Sequence, residues 1–277
     1  MKKVLTMAGS DSSGGAGIQA DLKTFQELGV YGMTALTVIV TMDPNNNWAH
    51  GIYPIEAGTT SAQLDTICST GVDAMKTGML PTVEMIELAA EKIDQYEIKN
   101  VVIDPVMVCK GTDEVLLPEN TVAMQKHLLP RATVVTPNLF EAWQLAGTEG
   151  PIKTLADMKE VARIIFDLGA KNVYIKGGAK LADSDQSIDL FYDGQTFTKL
   201  ATTKIDTAYT HGAGCTTAAA ITAGLANGID PLTACIEAKK HVTAAIRHGF
   251  KLNQFVGPVM HGAARAHGTE SVQVEPC

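Results

Sequence analysis

A three-layer α/β/α fold around a central, mostly parallel sheet is predicted from three observations. Short β-branched runs alternate with longer amphipathic stretches. The runs are continuously apolar, as strands buried on both faces are in a helix-covered parallel sheet. Glycine, asparagine or proline then follows most of them, where such sheets bind ligands beyond the carboxyl ends of their strands. In chain order, strands are expected at 4–8, 34–40, 74–77, 101–103, 133–136 and 173–176. The intervening amphipathic stretches predict helices at 18–28, 59–69, 82–96, 139–146 and 155–168, then an Ala-rich helix at 215–226 and another at 231–248. Residues 187–192 and 196–200 flank Asp193-Gly194, a strong turn pair, and predict a hairpin added to the sheet. With no low-complexity linker, fixed-period repeat or composition break, one domain over 1–268 with a tail at 269–277 is the economical reading.

Composition narrows the function classes. The chain has 277 residues, 5% aromatics and a mean hydropathy of +0.08, enough for a large core. A formal charge of −8 without a Lys/Arg cluster argues against a nucleic-acid surface. No apolar run reaches the ~18 residues of a membrane span. The first residues turn to Gly, Ser and Asp before a signal-type apolar region develops. The five cysteines, at 68, 109, 215, 235 and 277, are odd in number and lack a CxxC pair, so neither a disulfide framework nor a zinc site is expected. A cytoplasmic location is the expectation. Cys68 and Cys235 read as core residues, and Cys277 as frayed tail.

The chemistry concentrates where strands hand over to helices. Tyr209-Thr-His-Gly-Ala-Gly-Cys-Thr-Thr217 runs straight into the Ala-rich helix. A helix start carries unpartnered N–H groups and about half a positive charge, so it suits an anion. Gly212 and Gly214 allow close approach, and a thiol at Cys215 is expected to have a lowered pKa. Developing negative charge beside a candidate base suggests phosphoryl transfer; capping of a buried helix is the alternative. No Walker A sequence is present, so a nucleotide would be held another way.

Gly15-Ala-Gly17-Ile-Gln-Ala20 matches the dinucleotide pattern, but six residues separate it from the strand end, too many for the tight turn. A loop gripping a small polar substrate fits better. Asn138 and Glu141 form a capping box in outline. Alternatively, Glu141 and Asp104, two acids at the same sheet edge, hold Mg²⁺. Lys176-Gly177-Gly178-Ala179 brings bare backbone to that edge, as a plain turn or as a nucleotide contact.

Together these residues resemble the ribokinase superfamily over nearly the whole chain, and most closely its vitamin-kinase branch of hydroxymethylpyrimidine kinases and bacterial vitamin B6 kinases. Residues 9–24, Lys76-Thr-Gly-Met79, Asp104-Pro-Val-Met107, Thr136-Pro-Asn138 through Glu141, Lys176-Gly-Gly178 and His211-Gly-Ala-Gly-Cys-Thr216 carry the likeness, in order. The resemblance implies ATP-dependent phosphorylation of a hydroxymethyl group on a ribokinase-like α/β/α fold with a short lid. It implies Cys215 as proton acceptor where most members have aspartate, and Gly212–Cys215 amides stabilising the moving phosphoryl group. It further implies ATP contacts at Asn138, Lys176, Gly177, Gly178, Ala179, Ser187, Gly212, Glu237 and Lys239. Mg²⁺ is expected near Glu141 and Asp104, and the vitamin ring near Ser12, Met42, Met79 and Val106. Cys109, in the polar stretch 108–114, resembles the lid cysteine of dual-cysteine pyridoxal kinases. A thiol there can add reversibly to an aldehyde, which pyridoxal offers and hydroxymethylpyrimidine does not. The implied substrates are therefore ATP and a B6 vitamer, with a hydroxymethylpyrimidine or its phosphate as the alternative. A homodimer is expected, and a monovalent-cation requirement stays open.

Overall fold

The structure, a computed structural model, describes residues 1–107, 118–181 and 185–277. The expected lid at 108–114, with Cys109, lies outside the described residues. The elements run β1 (Lys3–Asp11), α1 (Gly17–Glu27), β2 (Tyr31–Asp43), β3 (Ala49–Pro54), α2 (Ala57–Cys68), β4 (Ala74–Thr77), α3 (Val83–Gln95) and β5 (Val101–Ile103). Next come α4 (Pro118–Ala123), extended by single π and 3₁₀ turns to Arg131, then β6 (Val134–Val135), α5 (Leu139–Ala146) and α6 (Leu155–Asp167). The chain finishes with β7 (Val173–Ile175), β8 (Gln186–Tyr192), β9 (Phe197–Thr203), α7 (Ala213–Ala226), α8 (Pro231–Arg247), α9 (Ala263–His267) and β10 (Gln273–Pro276).

The described strands form one sheet in the order β10-β9-β8-β7-β6-β5-β4-β1-β2-β3. The six from β7 to β2 are parallel neighbours; antiparallel strands close both flanks. The chain winds from β1 toward β2, then returns to the other side of β1 at β4, so strand order reverses between β1 and β4. Such a switch opens a crevice at the carboxyl edge. Register sorts the core onto two faces. Val102, paired with Val134, faces α7 and α8, while Ile103, paired with Val135, faces the layer of α3, α5 and α6. Ala219, Ala223 and Ala226 of α7 pack on Val4, Phe25 and Ala74, so small side chains let this helix lie close to the sheet beside α1. Among the described residues, no helix is long and apolar enough to cross a membrane.

The sequence expectation missed four elements. β3 (Ala-His-Gly-Ile-Tyr-Pro) is an edge strand with little apolar pattern, held by antiparallel pairing to the long β2. α4 and α9 are a turn or two long. The fourth corrects the frayed tail: residues 273–276 pair with β9 in the same sheet, and the Cys277 amide donates to the Phe197 carbonyl. All four residues of β10 are exposed, so backbone pairing, which has no side-chain signature, places them. Cys68 and Cys235 are buried, as expected.

Candidate active site

At the carboxyl edge of β5, β6 and β7, Asp104, Asn138 and Lys176 each stand one to three residues beyond a strand end. They face the start of α7 across a cavity of about 520 Å³. Val106, Glu141, Gly177, Gly178, Ala179, Ser187, Gly212, Gly214, Cys215 and Lys239 line the same cavity. Most expected nucleotide and metal positions therefore converge. Glu237 does not: it is exposed on α8 and pairs with Lys240 at 2.7 Å, while Lys239, two residues on, turns inward. Ser12, Met42 and Met79 lie outside the cavity lining, at the ends of β1, β2 and β4. There the Ser12 amide donates to the Val40 carbonyl (3.0 Å), Met42 pairs with His50, and the Met79 carbonyl accepts from Thr37 Oγ1 (2.7 Å).

The start of α7 is built for close approach. Its cap residue Gly212 has φ +82°, and a Cβ there would sit 1.8 Å from the Gly15 carbonyl oxygen. No side chain caps this helix; its Ala213 amide donates to the Thr210 carbonyl (3.1 Å), and Gly214 and Cys215 of the same turn line the cavity. A Cβ on Gly214 would meet Lys176 Nζ at 3.3 Å, so the lysine ammonium lies against the first turn.

The expectation of a lowered Cys215 pKa is overturned. Burial, the largest influence, pushes its thiol up to about 11; Lys76 and a backbone hydrogen bond from Gly17 pull down, while Asp21 and Asp104 push further up. A helix start stabilises an anion by up to ~2 kcal/mol, which the desolvation of this half-buried thiol beside two acids exceeds.

Beneath the thiol is a pair whose roles the sequence reading did not assign. Lys76 Nζ contacts both Asp21 oxygens at 3.0 and 2.9 Å, and Thr6 Oγ1 donates to Asp21 at 2.6 Å; all three residues are fully buried. A lysine inside the four-residue buried strand 74–77 was the available signal, because an ammonium is placed there only with a partner.

The two candidate metal acids both lie by Lys176. Asp104 Oδ1 accepts from Lys176 Nζ at 2.8 Å. Glu141 and Asn138 form the capping box in full: the Asn138 amide donates to Glu141 Oε2 (2.8 Å) and the Glu141 amide to Asn138 Oδ1 (3.0 Å). Burial pushes Glu141 up to about 7, with Asp104 adding to the rise and Lys176 opposing it. One ammonium thus serves two buried carboxylates, an oxygen-rich set that a hard divalent cation fits.

On the opposite wall, Lys239 Nζ is held by Asp189 Oδ2 (2.8 Å) and Ser187 Oγ (3.2 Å). The same carboxylate accepts from Tyr174 Oη (2.7 Å) and, through Oδ1, from the Gly178 amide (3.0 Å). Gly178 is left-handed at φ +56°, and a Cβ on Gly177 would come within 2.3 Å of the Ile188 carbonyl. The turn reading of Lys176–Ala179 and its place in the cavity wall therefore hold together.

Comparison with known proteins follows the same lines. The Phosphomethylpyrimidine kinase family matches residues 11–260. A pyridoxine kinase of Bacillus subtilis is 60% identical over 266 residues, 96% of this chain and 97% of that one. A solved structure of the pyridoxal kinase from Staphylococcus aureus in complex with AMP-PCP and pyridoxal superposes with TM-score 0.94 at 55% identity, covering 100% of this chain and 99% of that chain. A hydroxymethylpyrimidine/phosphomethylpyrimidine kinase of Bacillus subtilis is 42% identical over 94% of this chain and 95% of its own length. Fold, motif order and full-length similarity agree, and the chain belongs to the Phosphomethylpyrimidine kinase family.

Proposed function

We propose that this chain transfers the γ-phosphoryl group of ATP to the 5′-hydroxymethyl group of pyridoxal, and also of pyridoxine and pyridoxamine, forming pyridoxal 5′-phosphate and its counterparts in vitamin B6 salvage. The observation that carries the reading is the uncapped, glycine-bracketed start of α7, set in one cavity with Cys215, Lys176 and two acids. The 60% identity to a pyridoxine kinase, against 42% to a hydroxymethylpyrimidine/phosphomethylpyrimidine kinase, favours the B6 substrate.

In this reading the hydroxymethyl oxygen attacks the γ-phosphorus in line, the bond from that phosphorus to the β–γ bridging oxygen breaks, and ADP leaves. The hydroxyl proton passes to Cys215 Sγ, which must be thiolate to take it. Burial pushes that thiol up to about 11, so only a small minority is so poised at pH 7 in the unliganded chain. Amides of Gly212–Cys215 receive the charge on the equatorial oxygens. Lys176 and Lys239 bind phosphate, while Asn138, Gly177, Gly178, Ala179 and Ser187 shape the nucleotide wall. Glu141 and Asp104 would hold Mg²⁺, which neutralises phosphate charge. Ser12, Met42, Met79 and Val106 border the vitamin ring, and Cys109 holds pyridoxal through its aldehyde as a hemithioacetal. The working form is a homodimer, which light scattering on a sizing column checks.

An ADP-release assay with the three B6 vitamers and hydroxymethylpyrimidine, with and without K⁺, tests the assignment. Pyridoxal is expected to turn over fastest. A clear preference for hydroxymethylpyrimidine would move the chain to the thiamine branch. Cys109→Ala is expected to depress pyridoxal turnover far more than pyridoxine turnover, and equal loss on both would remove the hemithioacetal.

A further inference from the structure

Two glycine-rich segments from opposite ends of the chain meet beside the cavity: 9–17, leading into α1, and 209–214, leading into α7. Their junction is tight. The Gly212 Cα abuts the Gly15 carbonyl, and a Cβ on Gly15 would stand 2.5 Å from His211 Cδ2. A side-chain hydrogen bond crosses it: His211 Nε2 lies 2.7 Å from Asp11 Oδ2, with both residues buried and 200 positions apart.

The Asp11 carboxylate also shapes its own loop. It accepts the amides of Ser13 (2.8 Å) and Ala16 (2.9 Å) and the Ser13 hydroxyl (3.0 Å). His211 is fixed in turn, its amide donating to the Gly257 carbonyl and its carbonyl accepting from the Val259 amide, both at 3.1 Å. One residue beyond Ala16, Gly17 opens α1 and directs a backbone hydrogen bond to Cys215. The loop that Asp11 organises thus brings a second helix start to the sulfur that α7 presents.

We infer that Asp11 and His211 form a clasp between the two glycine loops, and that His211 is a positioning residue for phosphoryl transfer. It borders the cavity and acts through the two loops it joins, not on the reacting atoms. It sets the spacing between the Ser12–Gly17 loop and the Gly212–Cys215 amides. This rests on the kinase reading above. Displacement of reacting groups by about 1 Å can lower turnover 10²-fold, and the clasp controls displacement on that scale.

His211→Ala is expected to lower kcat about 100-fold while ADP affinity, measured by calorimetry, changes less than about threefold. His211→Gln, whose amide can still donate to Asp11, should recover at least about tenfold of that loss. Asp11→Asn, which removes the carboxylate charge and at least one of the loop's acceptors and stands in if His211→Ala does not fold, should lose activity to the same extent. The double variant should be no worse than either single one, because the pair acts as a unit. A kcat within threefold of the unaltered chain, no recovery with Gln, or additive losses would each overturn the clasp. If the unaltered chain phosphorylates none of the vitamers, the kinase reading falls, yet amide hydrogen exchange in His211→Ala still decides the clasp. Faster exchange in both 14–17 and 212–215 supports it; acceleration in one segment or neither overturns it.

Discussion

Burial sets the chemistry of Cys215 more than the helix start does. If its sulfur takes the substrate proton, kcat/KM should climb steadily from pH 7 to 9 as the thiolate fraction grows below a pKa of about 11. Cys215→Ser should flatten that climb, and Cys215→Ala should abolish transfer while ADP still binds. A fully active Cys215→Ala variant would remove the assignment. Glu141 offers a second pH test. Its carboxyl, pushed up to about 7 chiefly by burial, must be ionised to hold a cation, so Mg²⁺-dependent nucleotide affinity should rise as pH passes from 6 to 8. Glu141→Gln should lower that affinity about tenfold or more and erase its pH dependence, as read by titration calorimetry. Residue types in the glycine turns and the capping box were legible because each needs a particular local conformation. The direction of the Cys215 shift was not, since it depends first on burial and then on the balance of Lys76 against Asp21 and Asp104, which approach only through folding.

At the scale of elements, the α7 start is held by contact between backbones, which makes it intolerant of one methyl group. Gly212→Ala would force a left-handed φ on a residue with a Cβ and drive that carbon into the Gly15 carbonyl. The strain alone is about 1–3 kcal/mol. A melting temperature several degrees lower and a loss of turnover greater than the stability change explains are expected, measured by calorimetry and steady-state assay. Removing 273–277 should do little. β10 is exposed along its length, and its Lys199–Glu275 pair, 55% exposed at the glutamate, contributes at most a few tenths of a kcal/mol. Its deletion should shift the melting temperature by less than about 4 °C, and a larger drop would show that the edge strand braces the β8–β9 hairpin. The central strands and long helices were readable because burial on two faces or one writes a period into the sequence. β3 and β10 were not, because an edge strand on the surface needs only backbone partners.

For the whole molecule, acid should destabilise the fold in two stages with opposite molecular causes. His261 is held at about 4, mainly by burial, against an ordinary value of 6.5. The unfolded chain therefore binds the extra proton between these values, and stability is lost as pH falls from 6.5 to 4, by about 3 kcal/mol. Asp11 opposes its own burial through hydrogen bonds from His211 and Ser13, and its carboxyl lies at about 2 against 3.8. Its contribution, about 2 kcal/mol, is present above pH 4 and disappears as pH falls toward 2. Urea midpoints across this range should show both slopes; His261→Gln should flatten the first and Asp11→Asn the second. The sequence by itself determined the alternation of strand and helix, the sheet edge where polar residues gather and the family, because these are written in local periodicity and in the order of short motifs. Tertiary structure alone decided the ionisation of Cys215 and Glu141, the Lys76–Asp21 pair beneath the thiol, the joining of Asp11 to His211 and the seat of the final strand. The physical reason is common to all of them: solvent exclusion and long-range pairing depend on which distant segments meet, and no stretch of chain carries that information within itself.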